Sequence, residues 1–258
     1  MKALKLTLIV SLLVIAISCK KTGSSTATVT ADDAADMAAG SVAQNSFGFS
    51  SVTDNVGVNA QTLYSVSSGG QAVNAVGATS TTSHQACGTT VADSLTGSGN
   101  SSSVTYSFFY KYVRTLTCNT ASQPDNLLNV VTFHGNYDGP RLTSADAGTA
   151  NVTVAGLTPN ATNYAVNGTY TRKGTFTSKV GAKATGTSTI EIKATNVLLS
   201  KSDRTIISGT ATVTISGTTG GSTFSYTGTL VFNGSNKATL TVGTTNYVIN
   251  LLTGAYVK

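Results

Sequence analysis

The sequence predicts an all-β protein, an antiparallel meander that curls into a β-sandwich or a partly closed barrel, with a short N-terminal helix after a flexible tether. Three observations predict this fold. From residue 104 onward, segments with apolar residues at every second position follow one another. Turn dipeptides such as NG, SG and GG separate several of these segments. Only 10% of the residues are charged and 26 are glycine, which is typical of an exported β-rich protein whose surface carries hydroxyl groups.

Residues 1–18 have the features of a signal peptide. Lys2 and Lys5 form a short positive region, and an apolar stretch follows at 6–17. This stretch is too short to span a bilayer as a helix, which needs about 20 residues, but it suits a secretory leader. The leader therefore predicts export.

The end of the leader resembles the bacterial lipobox, because the small residue Ser18 directly precedes Cys19. In such signals the cysteine thiol takes a diacylglycerol thioether, the leader is cut before the cysteine, and the new amine is acylated. Several acyl chains on one residue make a firm anchor. The alternative is an ordinary secretory leader with an incidental cysteine. We expect Cys19 to be the lipidation site, carrying palmitate or a similar acyl group, and residues 19–29 to be a lipidated cysteine and its polar tether.

The charge of the chain argues against nucleic-acid binding. The formal charge is +6, and removal of Lys2 and Lys5 with the leader leaves 14 − 10 = +4. The longest basic clusters after the leader are pairs, such as Lys20-Lys21. Nucleic-acid binding needs a concentrated basic patch, so no nucleic-acid partner is expected.

Two cysteines remain once Cys19 is set aside, Cys87 and Cys118. In an oxidising compartment an even remaining pair predicts a disulfide. A metal or redox pair is the alternative, but the closely spaced C-x-x-C pattern is absent.

A short helix is predicted at residues 30–45, after a Thr30 N-cap and with Asp32 and Asp33 in its first turn. Gly40 weakens it, so we expect the helix to dock loosely or to stay mobile. Residues 46–103 are rich in Gly, Ser, Thr and Asn and are predicted to form irregular strands and long loops.

Residues 104–258 are predicted to form the antiparallel β domain. Its first strand places Val104, Tyr106, Phe108, Tyr110 and Tyr112 on one side. Further strands are predicted at Leu128–Phe133, Ala150–Val154, Asn163–Phe176, Thr187–Leu199, Arg204–Ser216, Thr223–Phe232, Lys237–Val242 and Tyr247–Leu252.

A Gly-Thr pair recurs within these strands, with its glycines at positions 148, 168, 186, 209 and 228. The spacing matches about one hairpin per unit and varies too much for a strict solenoid. Glycine inside a strand often marks a bulge or a bend, so the pattern favours a curled meander. The alternative is chance recurrence in a chain rich in Gly and Thr.

No catalytic motif is present: the sequence has no G-x-S-x-G elbow, no P-loop and no H-E-x-x-H. Glu191, the only glutamate, is flanked by Ile190 and Ile192 and is predicted to point outward and pair with a lysine. Carboxylates can still pair in space for glycoside hydrolysis. We expect a non-enzymatic protein with no catalytic residues and no cofactor.

A metal site is not predicted either. His134 and Asp138 in FHGNYDG could bind a metal, but two ligands fall short of the three or four that zinc uses. We interpret residues 134–140 as a turn, in which Asn136 and Asp138 form Asx-type hydrogen bonds.

The aromatic residues of the first strand suggest a second function. Tyr106, Phe108, Tyr110 and Tyr112 could form an exposed face on which sugar rings stack, as in β-sandwich binding modules. The alternative is that this face belongs to the core, with the tyrosine hydroxyls reaching its rim. The absence of Trp favours the core interpretation.

The chain resembles a group of exported Bacteroidota β-rich lipoproteins of unknown function. The matching segments are SCKK, ADDAADMA, NYAVNGTYTRKGTF and FNGSNKATLTVGTTNYVINL. The resemblance implies an antiparallel β fold anchored in the outer membrane, and it carries over no catalytic residue. Lys20-Lys21 departs from the acidic residues that favour the outside face in these bacteria, so the periplasmic and extracellular faces both stay open. Asp93-Ser94-Leu95 is similar to the O-glycosylation motif of this phylum, which makes Ser94 a candidate glycosylation site in a loop-like segment.

The sequence thus predicts a lipid-anchored cell-envelope lipoprotein with a non-enzymatic structural or binding role. The alternative is a carbohydrate- or protein-binding surface module that uses the Tyr/Phe-rich strand. The expected partners are the membrane, through the lipid anchor, and a glycan or protein ligand.

Overall fold

The computed structural model describes residues 28–63, 85–100 and 103–258. Two helices and eleven strands are present in these ranges. Helix α1 spans Ala31–Val42, a 3₁₀ turn spans Gln44–Ser46, and helix α2 spans Phe49–Thr62. The strands are β1 Thr90–Asn100, β2 Thr105–Cys118, β3 Pro124–Asp138, β4 Leu142–Ala155, β5 Asn163–Ser178, β6 Thr185–Ser200, β7 Ile206–Thr219, β8 Ser222–Gly234, β9 Lys237–Val242, β10 Thr245–Asn250 and β11 Tyr256–Val257.

All eleven strands form one sheet in which each strand pairs with its neighbours in the sequence. The order runs from β1 to β11 without a crossover, and every pair is antiparallel. The predicted all-β antiparallel meander is confirmed. The sheet is not closed into a barrel, so β1 and β11 are its two edges.

The helices lie on the inner, concave face of the sheet. Helix α1 contacts strands β4, β6, β7 and β9, so the sheet curves around it, while α2 contacts β4 and β5. Strand residues alternate between this face and the outer face, as in β4, where Ala150, Val152 and Val154 are at most 1% exposed. The core is therefore built between one curved sheet and two helices, rather than between two sheets.

Helix α1 begins as predicted and packs more tightly than predicted. Thr30 and Asp33 form a reciprocal capping box. Every residue from Asp33 to Val42 is buried, so the expectation of a loosely docked or mobile helix is wrong. The alanines keep the helix thin enough to fit inside the curve of the sheet, so their small side chains allow close packing.

The prediction for residues 46–103 needs correction, because the described part of this segment contains helix α2 and strand β1. Phe49, Val52, Val56 and Ala60 recur at helical spacing and are fully buried. Their signal was weak because Ser, Thr, Asn and Gly occupy most other positions of α2. Residues 64–84 lie outside the described ranges, as do the leader, Cys19 and most of the tether.

The observed strands extend well beyond the predicted cores, as in β3, which runs from Pro124 to Asp138. Two glycines of the Gly-Thr pairs occupy irregular positions that require glycine. Gly168 has φ +145° beside a register shift in β5, and Gly209 has φ +134° opposite a bulge in β6. The prediction that these glycines mark bulges is confirmed at both positions.

A second glycine pattern, which the sequence analysis missed, crosses the inner face of the sheet. In one cross-strand row glycine occupies every second position, opposite a larger side chain each time. The row runs from β1 to β8 through Gly97, Phe108, Gly135, Asp146, Gly174, Ser188, Gly217 and Phe224. Side chains on a concave face crowd together, and three of the four glycines make room for the side chain of a row neighbour. A Cβ would lie 2.4 Å from the Phe108 ring at Gly97, 2.5 Å from an Asp146 oxygen at Gly174 and 2.6 Å from the Phe224 ring at Gly217.

Candidate functional site

A buried polar cluster attaches the helical segment to the sheet. Arg172 of β5 pairs with Asp146 of β4 at 2.5 Å, and both side chains are at most 3% exposed. Burial alone lowers the pKa of Arg172, but the adjacent Asp146 carboxylate and Tyr170 outweigh it, so the pKa is raised overall and the guanidinium stays charged. The same guanidinium donates to the carbonyl oxygens of Gly40, at 3.0 Å, and Ser46, at 2.8 Å. These carbonyls belong to the end of α1 and the 3₁₀ turn, where helix C-termini leave acceptors unpaired.

Phe47 is held by three neighbours. Its carbonyl oxygen accepts hydrogen bonds from the hydroxyls of Tyr110, at 2.7 Å, and Tyr170, at 3.3 Å. Its ring lies 4.3 Å from the Arg172 guanidinium carbon, in a cation–π contact. Burial raises the pKa of Tyr110 and of Tyr170, so both phenols remain donors. This cluster is structural: it satisfies the backbone of the turn between the two helices.

The Tyr/Phe-rich face of β2 therefore belongs mainly to the core. Tyr110 and Tyr112 are 0% and 3% exposed, so they cannot serve as a platform for sugars at the surface. Tyr106 and Phe108 are half-buried at the rim and stack on one another, with ring centroids 6.0 Å apart. The predicted exposed aromatic face needs correction, because the curve of the sheet turns this side of β2 inward and the core interpretation describes it better.

Cys87 and Cys118 form a disulfide, with their Cα atoms 5.6 Å apart. The bond ties the segment before β1 to the end of β2. The predicted pairing is confirmed. Strand β1 is an edge strand and pairs with β2 alone. The disulfide therefore links the segment before this edge strand covalently to its one neighbouring strand.

Ser94 lies on edge strand β1, not in the loop-like segment that the sequence suggested. Its side chain is exposed on the outer face. Asp93 pairs with Arg114 at 3.1 Å, and Leu95 is half-buried against the core. Ser94 and Asp93 are therefore both accessible, and only Leu95 is partly buried.

Residues 134–138 form the end of strand β3, and the predicted Asx turn there is wrong. The strand continues because β2 and β4 flank it on both sides, and the chain reverses only at Gly139 and Pro140. His134, Asn136 and Asp138 consequently share the outer face, at every second position. Glu191 pairs with Lys193 at 3.0 Å on the surface, as predicted.

A groove crosses strands β1 to β5 and has a volume of about 650 Å³. Most of its exposed lining is apolar carbon, and serine, threonine and asparagine side chains supply polar atoms along it. Three consecutive cross-strand rows line it. The middle row belongs to the inner face of the sheet. It consists of Gly99, Tyr106, Tyr137, Ser144 and Phe176. The side chains of the two flanking rows point to the outer face. The groove therefore runs across the outer face, between these two rows.

The flanking rows form the walls of the groove, and we name each by its β2 residue. The Ser107 row contains Ser98, Ser107, Asn136, Ala145 and Thr175. The Thr105 row contains Asn100, Thr105, Asp138, Thr143 and Thr177. The walls thus carry hydroxyl and amide groups and one carboxylate, that of Asp138, which pairs with the Lys179 ammonium.

An aromatic pair borders the groove. Phe109 and His134 are register partners on the outer face, two residues from Ser107 and Asn136 along their strands. Their ring centroids are 5.2 Å apart and the ring planes differ by 27°. Phe109 is half-buried and His134 is exposed. The sequence analysis missed this pair because residues on separate strands meet only through the register of the sheet.

Within residues 28–63, 85–100 and 103–258, no three side chains of the His, Cys, Asp or Glu type come together in a way that could hold a metal ion. Neither of the two helices has the length and apolarity that crossing a bilayer requires. Comparisons of the chain with protein-family models, with curated proteins and with solved structures found no match.

Proposed function

We propose that this protein is a lipid-anchored lipoprotein of the cell envelope, with a non-enzymatic binding or structural role in the outer membrane. The Cys87–Cys118 disulfide carries the proposal. Disulfides persist in oxidising compartments outside the cytoplasm, which agrees with the leader at residues 1–18. With these two cysteines bonded to each other, Cys19 is the one cysteine left to take lipid.

The shape of the described domain supports a binding or structural role over catalysis. Helices α1 and α2 occupy the concave face, and the polar cluster around Arg172 serves to hold them there. The outer face is accessible, and its cross-strand rows are dominated by threonine, serine and asparagine. Such a surface suits contact with a polar partner.

Labelling of intact cells with a palmitate analogue tests the anchor. The wild-type protein should take up label and a Cys19→Ala variant should not, while Cys118→Ala should still be labelled because its leader is unchanged. If the wild-type protein takes up no label, the proposal fails. Protease treatment of the same cells then assigns the membrane face: digestion places the domain outside the cell, and protection places it in the periplasm.

The runner-up function is that of a carbohydrate- or protein-binding surface module. The groove across β1 to β5 favours it, since it provides an accessible site of about 650 Å³. This site differs from the aromatic face that the sequence suggested, because the groove lies on the opposite face of the sheet.

A further inference from the structure

We infer that the groove binds a neutral polysaccharide chain laid across strands β1 to β5. This inference rests on the proposed binding role and names the chemical class of the ligand.

The spacing of the walls suits a repeating ligand. Neighbouring strands are about 4.8 Å apart, so five strands give a groove about 19 Å long. The two walls are two residues apart along each strand, or about 7 Å. One strand spacing is close to the length of one pyranose unit in an extended chain. A chain of sugars lying across the strands would therefore present about one unit to each strand, and the same kind of contact could repeat along the groove.

The chemistry of the walls suits hydroxyl-bearing, uncharged ligands. Serine and threonine hydroxyls and the Asn136 amide both donate and accept hydrogen bonds, as sugar hydroxyls do. The single carboxylate, Asp138, is already neutralised by Lys179. The groove therefore has no net charge that would attract an anionic or a cationic ligand. A neutral glycan does not depend on such an attraction.

The aromatic pair supplies an apolar contact at the border. Sugar rings have apolar faces formed by carbon-bound hydrogens, and they pack well against aromatic rings. Phe109 and His134 lie beside the Ser107 row on the same face. A sugar in the groove could therefore bind its hydroxyls to the row and rest a ring face against the pair.

The groove is suited to binding without cleavage. Glycoside hydrolysis commonly uses two carboxyl groups about 5–10 Å apart. Asp138 is the only carboxylate among the residues that line the groove. A neutral polysaccharide bound there would therefore be held and left intact, in agreement with a non-enzymatic role.

Affinity electrophoresis tests the inference. The full chain, extracted with its anchor in detergent, is run through native gels that contain galactomannan, xyloglucan, laminarin or dextran, with anionic alginate as a fifth gel. We expect at least one neutral polysaccharide to retard the wild-type protein. Retardation by none of the neutral gels, or by alginate alone, would overturn the inference.

Two arginine substitutions on the same strand and the same face provide the matched test. Ala145→Arg places a long side chain in the centre of the groove and should weaken binding by at least about tenfold, because it blocks the site sterically. Thr149→Arg adds the same charge on exposed outer surface four residues away and should leave binding within about twofold. Equal effects of the two variants would show that the groove is not the site.

A milder variant covers the case in which Ala145→Arg disturbs folding. Asn136→Ala removes one amide and should weaken binding about threefold to tenfold, as expected for the loss of one or two hydrogen bonds. Unchanged retardation of this variant together with Ala145→Arg would overturn the inference. Failure of palmitate labelling would refute the anchor and leave the groove result intact, so the two proposals can fail separately.

Discussion

The guanidinium of Arg172 lies 2.5 Å from the Asp146 carboxylate inside the curve of the sheet. The two residues are diagonal neighbours on adjacent strands, and each has a glycine as its register partner. Gly148 is opposite Arg172, and Gly174 is opposite Asp146. A Cβ at Gly174 would lie 2.5 Å from an Asp146 oxygen, so glycine makes room for the carboxylate. Arg172, held by this pairing, also donates to the carbonyl oxygens of Gly40 in α1 and of Ser46 in the 3₁₀ turn.

Loss of either partner of this pair should destabilise the protein strongly. Removing one member leaves a buried charge without its counter-charge, which costs about 3–5 kcal/mol. We expect Asp146→Asn and Arg172→Met each to lower the free energy of unfolding in urea by about this amount. The double variant should cost less than the sum of the two. Single variants within about 1 kcal/mol of the wild type would contradict a structural role for the pair.

Two tyrosines on the same face of β2 give a matched comparison. The Tyr110 hydroxyl donates to the Phe47 carbonyl, whereas the buried Tyr112 hydroxyl has no hydrogen-bonding partner in the described ranges. Tyr110→Phe should lower the free energy of unfolding by about 1–3 kcal/mol, because it removes a buried donor. Tyr112→Phe should be neutral or stabilising, since it removes a buried polar group that has no partner. Chemical denaturation measures both, and the reverse order would refute this assignment of partners.

Buried tyrosines should make the fold sensitive to alkali. Burial raises the pKa of Tyr110, Tyr112 and Tyr170 above the ordinary value. Above pH of about 10 these phenols ionise in the unfolded chain but stay protonated in the folded protein. The unfolded state then binds fewer protons, so the stability present below this pH falls as pH rises, by about 1.4 kcal/mol per pH unit for each such tyrosine.

Absorbance of phenolate near 295 nm checks this expectation, using denaturant titrations at pH 8 to 12. The phenols of Tyr110, Tyr112 and Tyr170 should ionise only together with the loss of tertiary structure. Titration of all ten tyrosines near their ordinary value in a protein that is still folded would contradict the burial of these three phenols.

The disulfide should contribute substantially to stability. Cys87 and Cys118 are 31 residues apart, and closing a loop of this size stabilises by roughly 3–4 kcal/mol in the chain-entropy model. A Cys87→Ala/Cys118→Ala double variant should lose about that amount in urea unfolding. Intact-mass measurement of the wild type, with and without reductant and alkylation, is the direct check. Two free thiols in the untreated protein would disprove the bond.

Local signals in the sequence predicted much of the fold. The alternation in residues 104–116 predicted strand β2, and the same signal located the cores of β3 to β10. The Thr30 cap and the acidic first turn predicted the start of α1. Helix α2 and edge strand β1 were missed, because small polar residues dilute their patterns. In each of these cases the pattern that predicts the helix or strand, whether strong or weak, lies within one segment of the chain.

The candidate site could not be predicted in the same way. The groove walls, the Phe109–His134 pair and the Arg172–Asp146 pair all join residues from different strands, and a one-residue change of register would move each side chain to the other face. Asn136 and Asp138 are visible in the sequence, but the glycines and asparagine around them predict a turn, because Gly and Asn are common in turns.

The sequence by itself determined the fold class of the protein, an antiparallel meander with a capped helix, and an even pair of cysteines for a disulfide. These features follow from local propensity, periodicity and cysteine number. Tertiary structure decided which face of the sheet became the interior. Period-2 alternation defines two faces for every strand, but only the curvature of the whole sheet around α1 turned Tyr110 and Tyr112 inward and left the groove outside.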